Sequence, residues 1–395
     1  MSNKIYLDYA ATSPVLPEVM AVMKPFWERE FGNPSSLHSW GEEARMKLDQ
    51  VREEIGELVE AERVIFTGSA TEAINLSHKG LVESLGEEEV EIVTTAIEHK
   101  AVLETCDHLE RQGKVRVRKV KPNREGVVRV EAVLREIGEK TRLVSLMWVN
   151  NEVGTEQPVK ELGIALKKLN QERKERGWGR VYFHSDVTQG IGLGDFSMKN
   201  LELDMASMTG HKIGAAKGVG ALFLKEEIKL ARQIDGGDQE GGTRAGTENM
   251  AYIVGLAEAL KVRVLRREEN RVKIYSSMDY LVDKFRDIQG VGINGPRGKR
   301  MSHIVNIQVA GVEGEALVML LSDKGVGVST GSACTTGDLR PSHVLTAMGV
   351  GAREAHGSLR WSLNETVSKA QIDQAMKSLK LAVAQLRGMR RGINV

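Results

Sequence analysis

The sequence predicts an α/β protein in which a large domain, built on a mainly parallel sheet between helices, is joined to a smaller α+β domain. Between residues 63 and 224, short β-branched runs alternate with longer amphipathic runs, which is typical of a parallel sheet wrapped by helices. The pattern changes after residue 249, where a long charged helical stretch leads to separate strands and a final helix. The length of 395 residues exceeds what one ordinary core requires, and it also indicates two domains.

The elements follow from the spacing of apolar residues along the chain. Ala44, Leu48, Val51, Ile55 and Leu58 recur at helical spacing, so we expect a helix packed on the domain surface there. The runs of the large domain predict strands at 64–67, 91–94, 143–147 and 181–184, and helices at 101–111 and 159–173. Beyond them we predict a long bridging helix at 251–271, strands at 303–309 and 358–363, and a last helix at 368–386.

Composition narrows the class of protein. Lys and Arg number 55 against 54 Asp and Glu, a formal net charge of +1, so no extended basic surface for nucleic acid or anionic lipid is implied. No apolar run is long enough to span a bilayer, and no signal peptide precedes the strand-like run at Ile5. The two cysteines, Cys106 and Cys334, lack the spacing of a disulfide framework or a metal site. We therefore expect a cytoplasmic protein with small-molecule chemistry, no metal, and neither nucleic acid nor membrane as a partner.

Polar side chains follow several predicted strands. The first strand leads into residues 67–72, whose small residues and hydroxyls suit either an anion site or an ordinary helix cap. The other strand exits carry Glu98, His99 and Lys100, then Asn150, Asn151 and Glu152, then Asp186 and Gln189, and finally residues 209–212. Because ligands of open α/β sheets bind at the carboxyl ends of the strands, these side chains predict one site at this edge.

Lys212 and Asp186 are the pair that pyridoxal phosphate requires. The cofactor needs a lysine to hold its aldehyde, and a carboxylate to keep its ring nitrogen protonated and electron-withdrawing. A single lysine is usually a solvated surface residue, and a single aspartate after a strand is often a turn residue. Their occurrence together at one sheet edge indicates a Schiff-base enzyme.

Taken in order, the motifs resemble those of the cysteine desulfurases, the NifS/IscS-like branch of the class V aminotransferase family. The resemblance covers nearly the whole chain, and its motifs lie at residues 6–12, 31–36, 98–103, 150–154, 210–212, 331–335, 341–345 and 354–360. It implies the fold-type I architecture of pyridoxal phosphate enzymes, with a seven-stranded-type sheet, and a homodimer. We accordingly expect a large domain at 13–255, and a small domain at 1–12 and 256–395 that carries the Cys334 loop.

The resemblance also implies roles for the cofactor-binding residues. Lys212 would form the Schiff base, and Asp186 would pair with the ring nitrogen. Gln189 and Asn151 would contact the ring hydroxyl or neighbouring groups, and His99 would stack on the ring and carry a proton. The phosphate would be held by Ala70, Thr71, Thr209 and His211, with Thr247 contributed by the other subunit.

Substrate binding and sulfur transfer are implied in the same way. Arg360 fits the family's anchor for the substrate carboxylate, since its planar fork suits bidentate binding, and Asn151 and Asn33 would assist it. Cys334 lies in a stretch of Gly, Ser and Thr that offers it nothing to pack against, whereas Cys106 fits a buried thiol. The resemblance implies that a mobile Cys334 loop takes the sulfur of L-cysteine as a persulfide, releases L-alanine, and passes the sulfur to an acceptor such as an iron–sulfur scaffold or a thiolation pathway.

Two stretches depart from the family pattern. Asp235, Asp238 and Gly241 stand where the family favours a non-acidic residue, a small residue and an arginine, so we expect the added negative charge to weaken cofactor binding or shift the dimer contact. Asn364 and Glu365 replace a frequent glycine and basic residue. Three alternatives stay open: a selenocysteine lyase, a catalytically impaired sulfur-relay protein of the same fold, and a plain aminotransferase.

Overall fold

The computed structural model describes residues 4–86, 89–296, 303–330 and 341–392. Within these ranges the strands are β1 (Ile5–Tyr6), β2 (Arg63–Thr67), β3 (Val90–Thr95), β4 (Val115–Val120), β5 (Thr141–Ser145), β6 (Tyr182–Asp186), β7 (Met205–Thr209), β8 (Gly220–Leu224), β9 (Val291–Asn294), β10 (Ile304–Val309), β11 (Val326–Gly327) and β12 (Ser358–Ser362). The α-helices are α1 (Pro17–Met23), α2 (Pro25–Glu28), α3 (Ser39–Val59), α4 (Ala70–Leu85), α5 (Lys100–Arg111), α6 (Val130–Arg135), α7 (Val159–Glu175), α8 (Met250–Leu265), α9 (Arg267–Arg286), α10 (Gly314–Asp323), α11 (His343–Ala347), α12 (Ala352–His356) and α13 (Lys369–Gly392). Short 3-10 turns lie at Gly210–Lys212 and Gln239–Gly242.

The largest sheet has seven strands in the order β2-β8-β7-β6-β5-β3-β4. Five neighbouring strands, β4, β3, β5, β6 and β7, are parallel to one another. β8 is antiparallel to both β7 and β2. β2 therefore runs in the same direction as β7, and its carboxyl end lies at the same edge as those of β3, β5, β6 and β7. The mainly parallel sheet predicted from the sequence is confirmed, and one edge collects all the predicted strand exits.

The central strands are buried on both faces, which explains their composition. Every residue of β7 and β8 is buried, as expected when helices cover both sides of a parallel sheet.

Two strands of this sheet lack the sequence pattern of the others. β8 begins with Gly220, and β4 mixes valine with arginine and lysine. Neither β4 nor β8 was predicted, because neither gives the continuous β-branched run from which the other strands were recognised.

The predicted surface helix is confirmed as α3, whose buried stripe includes Ala44, Leu48, Val51 and Ile55. The predicted single helix at 251–271 is wrong. The chain instead breaks at Arg266, where φ is −99° and ψ is 10°, and α8 and α9 lie on either side. None of the helices in the described ranges is both long and apolar enough to cross a lipid bilayer.

The helix break marks a change from one hydrophobic core to another. Buried residues of α8, such as Leu256 and Leu260, belong to the core around the large sheet. Buried residues of α9, such as Leu281 and Phe285, belong to a second core. A single straight helix would have to present one face to both cores. Because the chain breaks at Arg266, α8 can pack against the first core and α9 against the second. The domain boundaries at residues 12 and 255 stay a prediction.

The second core draws on both ends of the chain. β1 pairs in parallel with β11, and β12, β10 and β9 form a separate three-stranded antiparallel sheet. Ile5 and Leu7 are buried there with Val326 and Trp361. The residues that follow Leu7 are thereby carried from this core to the carboxyl edge of the large sheet.

Candidate active site

A cavity of about 390 Å³ lies at the carboxyl edge of the large sheet. The residues predicted from the sequence that line it are Ala70, Thr71, His99, Asn151, Asp186, Gln189, Thr209, His211, Lys212 and Arg360. Ser69, which also lines it, belongs to the predicted 67–72 segment, and the lining residues not predicted are Ala10, Ala11, Met147, Val149 and Thr188. Side chains from loops far apart in sequence thus meet in one place, as the strand directions require.

Lys212 ends the short turn after β7, and the N-terminal segment holds it. Its Nζ donates hydrogen bonds to the carbonyl oxygens of Ala10 at 2.6 Å and Ala11 at 2.7 Å. The Ser13 hydroxyl in turn donates to the Lys212 carbonyl at 3.0 Å. These contacts fix the lysine against the cavity wall, and they assign the 10–13 segment a place in the site that the sequence did not reveal.

Asp186 and Gln189 line the same cavity as Lys212. Asp186 ends β6, is 7% exposed, and accepts a hydrogen bond from the Thr188 amide at 3.0 Å. Gln189 donates from Nε2 to the Ala10 carbonyl at 3.1 Å. Within the described chain, Gln189 Oε1 and Thr188 Oγ1 are buried without a hydrogen-bond partner. Buried polar atoms are nearly always paired, so these two are suited to receive a bound molecule.

His99 caps α5 and faces the cavity. Its Nδ1 accepts a hydrogen bond from the Ala101 amide at 3.1 Å, so the proton of the neutral ring lies on Nε2. Burial lowers the pKa of His99, the Asp186 carboxylate raises it, and the Lys212 ammonium lowers it. His99 can therefore act as a neutral ring that offers one N–H to the cavity.

The 67–72 segment forms a helix cap and also borders the cavity. The Ser69 hydroxyl accepts from the Glu72 amide at 3.2 Å, and the Glu72 carboxylate accepts from the Gly68 amide at 2.7 Å. Arg244 binds the same carboxylate, with Nε at 2.7 Å. The cap rigidifies the first turn of α4, where Ala70 and Thr71 line the cavity, and the positive end of a helix dipole favours an anion there.

His211 completes this side of the cavity. Its Nδ1 lies 3.2 Å from the Thr12 hydroxyl. Burial, reinforced by Lys212 and Lys217, lowers the pKa of His211 to about 4. The ring is neutral near pH 7, so any hydrogen bond it offers to an anion is that of an uncharged imidazole.

Arg360 projects from β12 and is 4% exposed. Its Nη1 donates to the Asn151 carbonyl at 3.0 Å, and its Nη2 donates to the Asp8 carboxylate at 2.9 Å. Nε is buried without a partner in the described chain. The predicted anchor is therefore in the cavity, and it is paired with Asp8, an acidic residue to which the sequence analysis assigned no role.

Some predicted residues lie elsewhere. Thr247 is exposed, and Asn33 is exposed with its side-chain oxygen accepting from the Ser35 amide at 2.9 Å. Neither lines the cavity of this chain. Cys334, and with it most of the glycine- and serine-rich stretch, lies outside the described residues.

The residues that depart from the family pattern lie outside the Lys212 cavity. Asp238 pairs with Arg232 at 3.2 Å and, with Gly241, lines a wider groove of about 910 Å³ beside α3 rather than the Lys212 cavity. Asp235 lines neither space. Glu365 forms an ion pair with Arg263 at 2.9 Å. Within this chain the added acids do not reach the cavity.

The residues present fit pyridoxal phosphate. The cavity offers an amine at Lys212, a carboxylate at Asp186, a helix N-terminus at Ala70 and buried hydrogen-bonding atoms that await a partner. Its volume lies in the range usual for cofactor sites.

Known proteins resemble this chain over nearly its whole length, in sequence and in fold. A family model for class-V aminotransferases matches residues 5–375. The cysteine desulfurase IscS of Dictyoglomus turgidum is 37% identical over 390 residues, covering 98% of this chain and 96% of that protein. The cysteine desulfurase IscS of Rickettsia bellii is 39% identical over 396 residues, covering 98% and 92%. A solved NifS-like protein superposes with a TM-score of 0.88 at 34% identity, covering 96% of this chain and 99% of the other.

Proposed function

We propose which residues carry the reaction of this chain, which belongs to the class-V aminotransferase family. It is a pyridoxal-phosphate-dependent cysteine desulfurase. Its reaction depends on Lys212, Asp186, Arg360 and Cys334. The observation that carries the first three assignments is that one cavity brings together the Lys212 amine, the Asp186 carboxylate and the Arg360 guanidinium. The reaction converts L-cysteine to L-alanine and transfers the sulfur. The alternatives are not favoured, since the two curated relatives described above, which match over nearly their full length, are cysteine desulfurases.

The cofactor is held by groups on the cavity wall. When bound, pyridoxal phosphate supplies an electron-withdrawing ring that stabilises negative charge at the substrate's α-carbon. Lys212 would hold its aldehyde, Asp186 would pair with its ring nitrogen, and the unpartnered Oε1 and bonded Nε2 of Gln189 would serve the ring substituents. The first turn of α4, Thr209 and His211 would hold the phosphate, with Thr247 contributed by a second copy of the chain.

The substrate is oriented and deprotonated by residues of this chain. Arg360 would bind the carboxylate of L-cysteine, supported by Asn151 and, in the dimer proposed below, by Asn33 of a second copy of the chain. Lys212 Nζ would take the α-proton, and His99 Nε2 would return a proton to the carbon skeleton. Arg360 itself is buried, so it lies in a region of low dielectric that strengthens its charged hydrogen bonds.

Cys334 receives the sulfur. Its thiolate attacks the substrate sulfur, an S–S bond forms, the C–S bond breaks, and the electron pair stays with the carbon fragment, which is protonated to L-alanine. Cys334 is left as a persulfide, and an acceptor protein for iron–sulfur cluster assembly or thiolation collects the sulfur.

We further propose that the enzyme is a cytoplasmic homodimer. Large apolar side chains are exposed along the segment before and within α3, including Trp27, Phe31, Leu37 and Trp40, with Leu37 at 96%. Exposed apolar clusters of this kind mark interaction surfaces. Asn33 is also exposed in this segment, so it would lie at the interface with a second copy packed here.

The two cysteines provide a direct test. We expect the purified holoenzyme with L-cysteine and a reductant to release alanine and sulfide in equal amounts, and Cys334→Ala to lose at least about 100-fold in rate because no thiolate receives the sulfur. Cys106→Ala is the matched control, because Cys106 is fully buried and burial raises its pKa to about 12. Mass spectrometry without reductant should find one added sulfur on the Cys334 peptide. Full activity of Cys334→Ala, or sulfur on Cys106, would contradict the assignment.

A further inference from the structure

We propose that Asp8 is a positioning residue, which holds the Arg360 guanidinium in the orientation that receives the substrate carboxylate. This inference rests on the function proposed above. Asp8 Oδ1 accepts from Arg360 Nη2 at 2.9 Å, and the two side chains are 18% and 5% exposed. A guanidinium buried to this degree needs a fixed counter-charge, because an unpaired buried cation is strongly unfavourable.

The arrangement leaves donors available for a second carboxylate. A guanidinium carries five N–H groups. One binds Asp8 and one binds the Asn151 carbonyl, and Nε is buried without a partner in the described chain. Arg360 can therefore bind a substrate carboxylate through its remaining N–H groups while Asp8 stays in place. Asp8 thus supports the anchor instead of occupying its binding face.

The backbone around Asp8 is itself fixed to the strand that carries Arg360. Asp8 forms an isolated parallel bridge with Ser362, two residues after Arg360 on β12. The Ser362 amide donates to the Leu7 carbonyl at 2.8 Å, and the Ala10 amide donates to the Ser362 hydroxyl at 2.9 Å. The Tyr6 hydroxyl donates to the Asp8 carbonyl at 3.0 Å. The carboxylate is therefore preorganised against its partner and does not have to be ordered when substrate binds.

The same short segment also reaches the lysine. The carbonyl oxygens of Ala10 and Ala11 accept the hydrogen bonds of Lys212 Nζ. Two or three residues of backbone thus separate the contact to the carboxylate anchor from the contact to the reactive amine.

The experiment compares ligands with and without a carboxylate, using the absorption change of the holoenzyme to report binding. L-alanine has the carboxylate, whereas cysteamine has the amine and thiol but lacks it. We expect Asp8→Ala to weaken L-alanine binding, and to raise the KM for L-cysteine, by about tenfold or more, the usual effect of losing a charged hydrogen bond. Its kcat should change much less, and cysteamine should bind as it does to the unaltered enzyme.

Asp8→Asn separates geometry from charge. It keeps an oxygen acceptor for Arg360 but removes the negative charge, so we expect it to weaken L-alanine binding, though less than Asp8→Ala does. If both variants bound L-alanine more tightly, Asp8 would be a competitor of the substrate and the proposal would be overturned. Equal weakening of L-alanine and cysteamine would overturn it too, because it would indicate general damage to the site.

Two controls complete the design. Asp279→Ala, an exposed position on α9, should leave all these constants unchanged. The binding measurements do not require sulfur release. An enzyme that bound both ligands but formed no alanine from L-cysteine would therefore contradict the proposed function, while the Asp8 variants would still decide the role of Asp8.

Discussion

Glu98 is a buried carboxyl group beside His99 that does not line the cavity. It is 0% exposed, and its Oε1 accepts from the Thr95 hydroxyl at 2.9 Å and from the Met147 amide at 2.8 Å. Burial raises the pKa of Glu98 to about 8, although these two hydrogen bonds act to lower it. The group is therefore mostly protonated at neutral pH, and its structural role is to join the exit of β3 to the exit of β5.

Replacing Glu98 by glutamine should change how stability depends on pH. The folded-state pKa lies above the ordinary 4.5, so the unfolded chain loses this proton first as pH rises. The stabilisation is fully present at low pH and is lost between pH 4.5 and about 8, by about 1.4 kcal/mol per pH unit. Glu98→Gln keeps an oxygen acceptor and cannot ionise, so its stability relative to the original should rise across this interval.

Urea unfolding midpoints of the holoenzyme at several pH values between 5 and about 8.5 would measure this difference. Glu43→Gln, an exposed position on α3, is the control and should show no such trend. A constant difference between Glu98→Gln and the original at every pH would show that Glu98 does not titrate as its burial implies.

The residues of the site divide into those that sequence could predict and those that it could not. Lys212, Asp186 and His99 follow strands of a recognisable pattern, so their meeting at one edge could be predicted. Asp8 and Ala10 could not be placed in this way, because their position depends on the pairing of β1 with β11, more than 300 residues later. Ala10 also contributes a backbone carbonyl, which leaves no signal in residue type.

At the level of elements, β8 shows why the sheet edge has its shape. Gly220, its first residue, lies opposite Thr67 on one side and Thr209 on the other. A Cβ at Gly220 would lie 2.6 Å from the Met208 carbonyl oxygen and 2.6 Å from the carbonyl carbon of Ser69. Only a residue without a side chain allows the start of α4 and the exit of β7 to come so close, and that approach forms the anion-binding side of the cavity.

Gly220→Ala should therefore weaken cofactor binding. The added methyl group meets backbone atoms on both sides, so the backbone at Ser69 and Ala70 or at Met208 must shift. We expect the pyridoxal phosphate dissociation constant to rise by about tenfold or more, as when a charged hydrogen bond is lost, measured by absorbance after dialysis and reconstitution. Gly388→Ala on α13 is the control, since nothing lies within 4 Å of its Cβ position. Normal cofactor retention by Gly220→Ala would show that the close approach is not required.

The helices also show what could be predicted from the sequence and what could not. The stripe of α3 was predictable because Leu48, Val51 and Ile55 repeat on one face against one core. The break at Arg266 was not, because it arises where two cores meet, and neither core is visible in the local pattern. Local periodicity specifies a helix, but the choice between one helix and two belongs to tertiary packing.

At the scale of the whole molecule, the large core contains a pair of buried histidines. The rings of His78 on α4 and His184 on β6 stand edge to face with their centres 4.8 Å apart, and both side chains are 0% exposed. His184 contacts the Ser145 and Ser207 hydroxyls at 2.9 and 2.8 Å. Burial lowers the pKa of His78 to about 4 and that of His184 well below its ordinary value. Both rings are therefore uncharged in the folded protein at neutral pH.

The two histidines and Glu98 have opposite effects on how the free energy of unfolding depends on pH. A lowered pKa means that the unfolded chain binds the proton first as pH falls, so the stabilisation is present above the ordinary value of 6.5 and lost as pH drops toward 4. Glu98, and Glu152 whose pKa is also raised by burial, destabilise the fold in the alkaline direction. The two effects together predict a stability maximum near neutral pH.

His78→Asn isolates the acid side of this profile. The asparagine amide can still donate to the Ile74 carbonyl, which lies 3.0 Å from His78 Nδ1, but it cannot be protonated. We expect lower stability at pH 7 because the ring is lost. Between pH 6.5 and about 4, however, the loss of stability should be shallower by on the order of 1 kcal/mol per pH unit. Urea midpoints across this range give the slope, with His356→Asn on exposed α12 as the control. Equal acid slopes for His78→Asn and the original protein would mean that the buried pair does not govern acid unfolding.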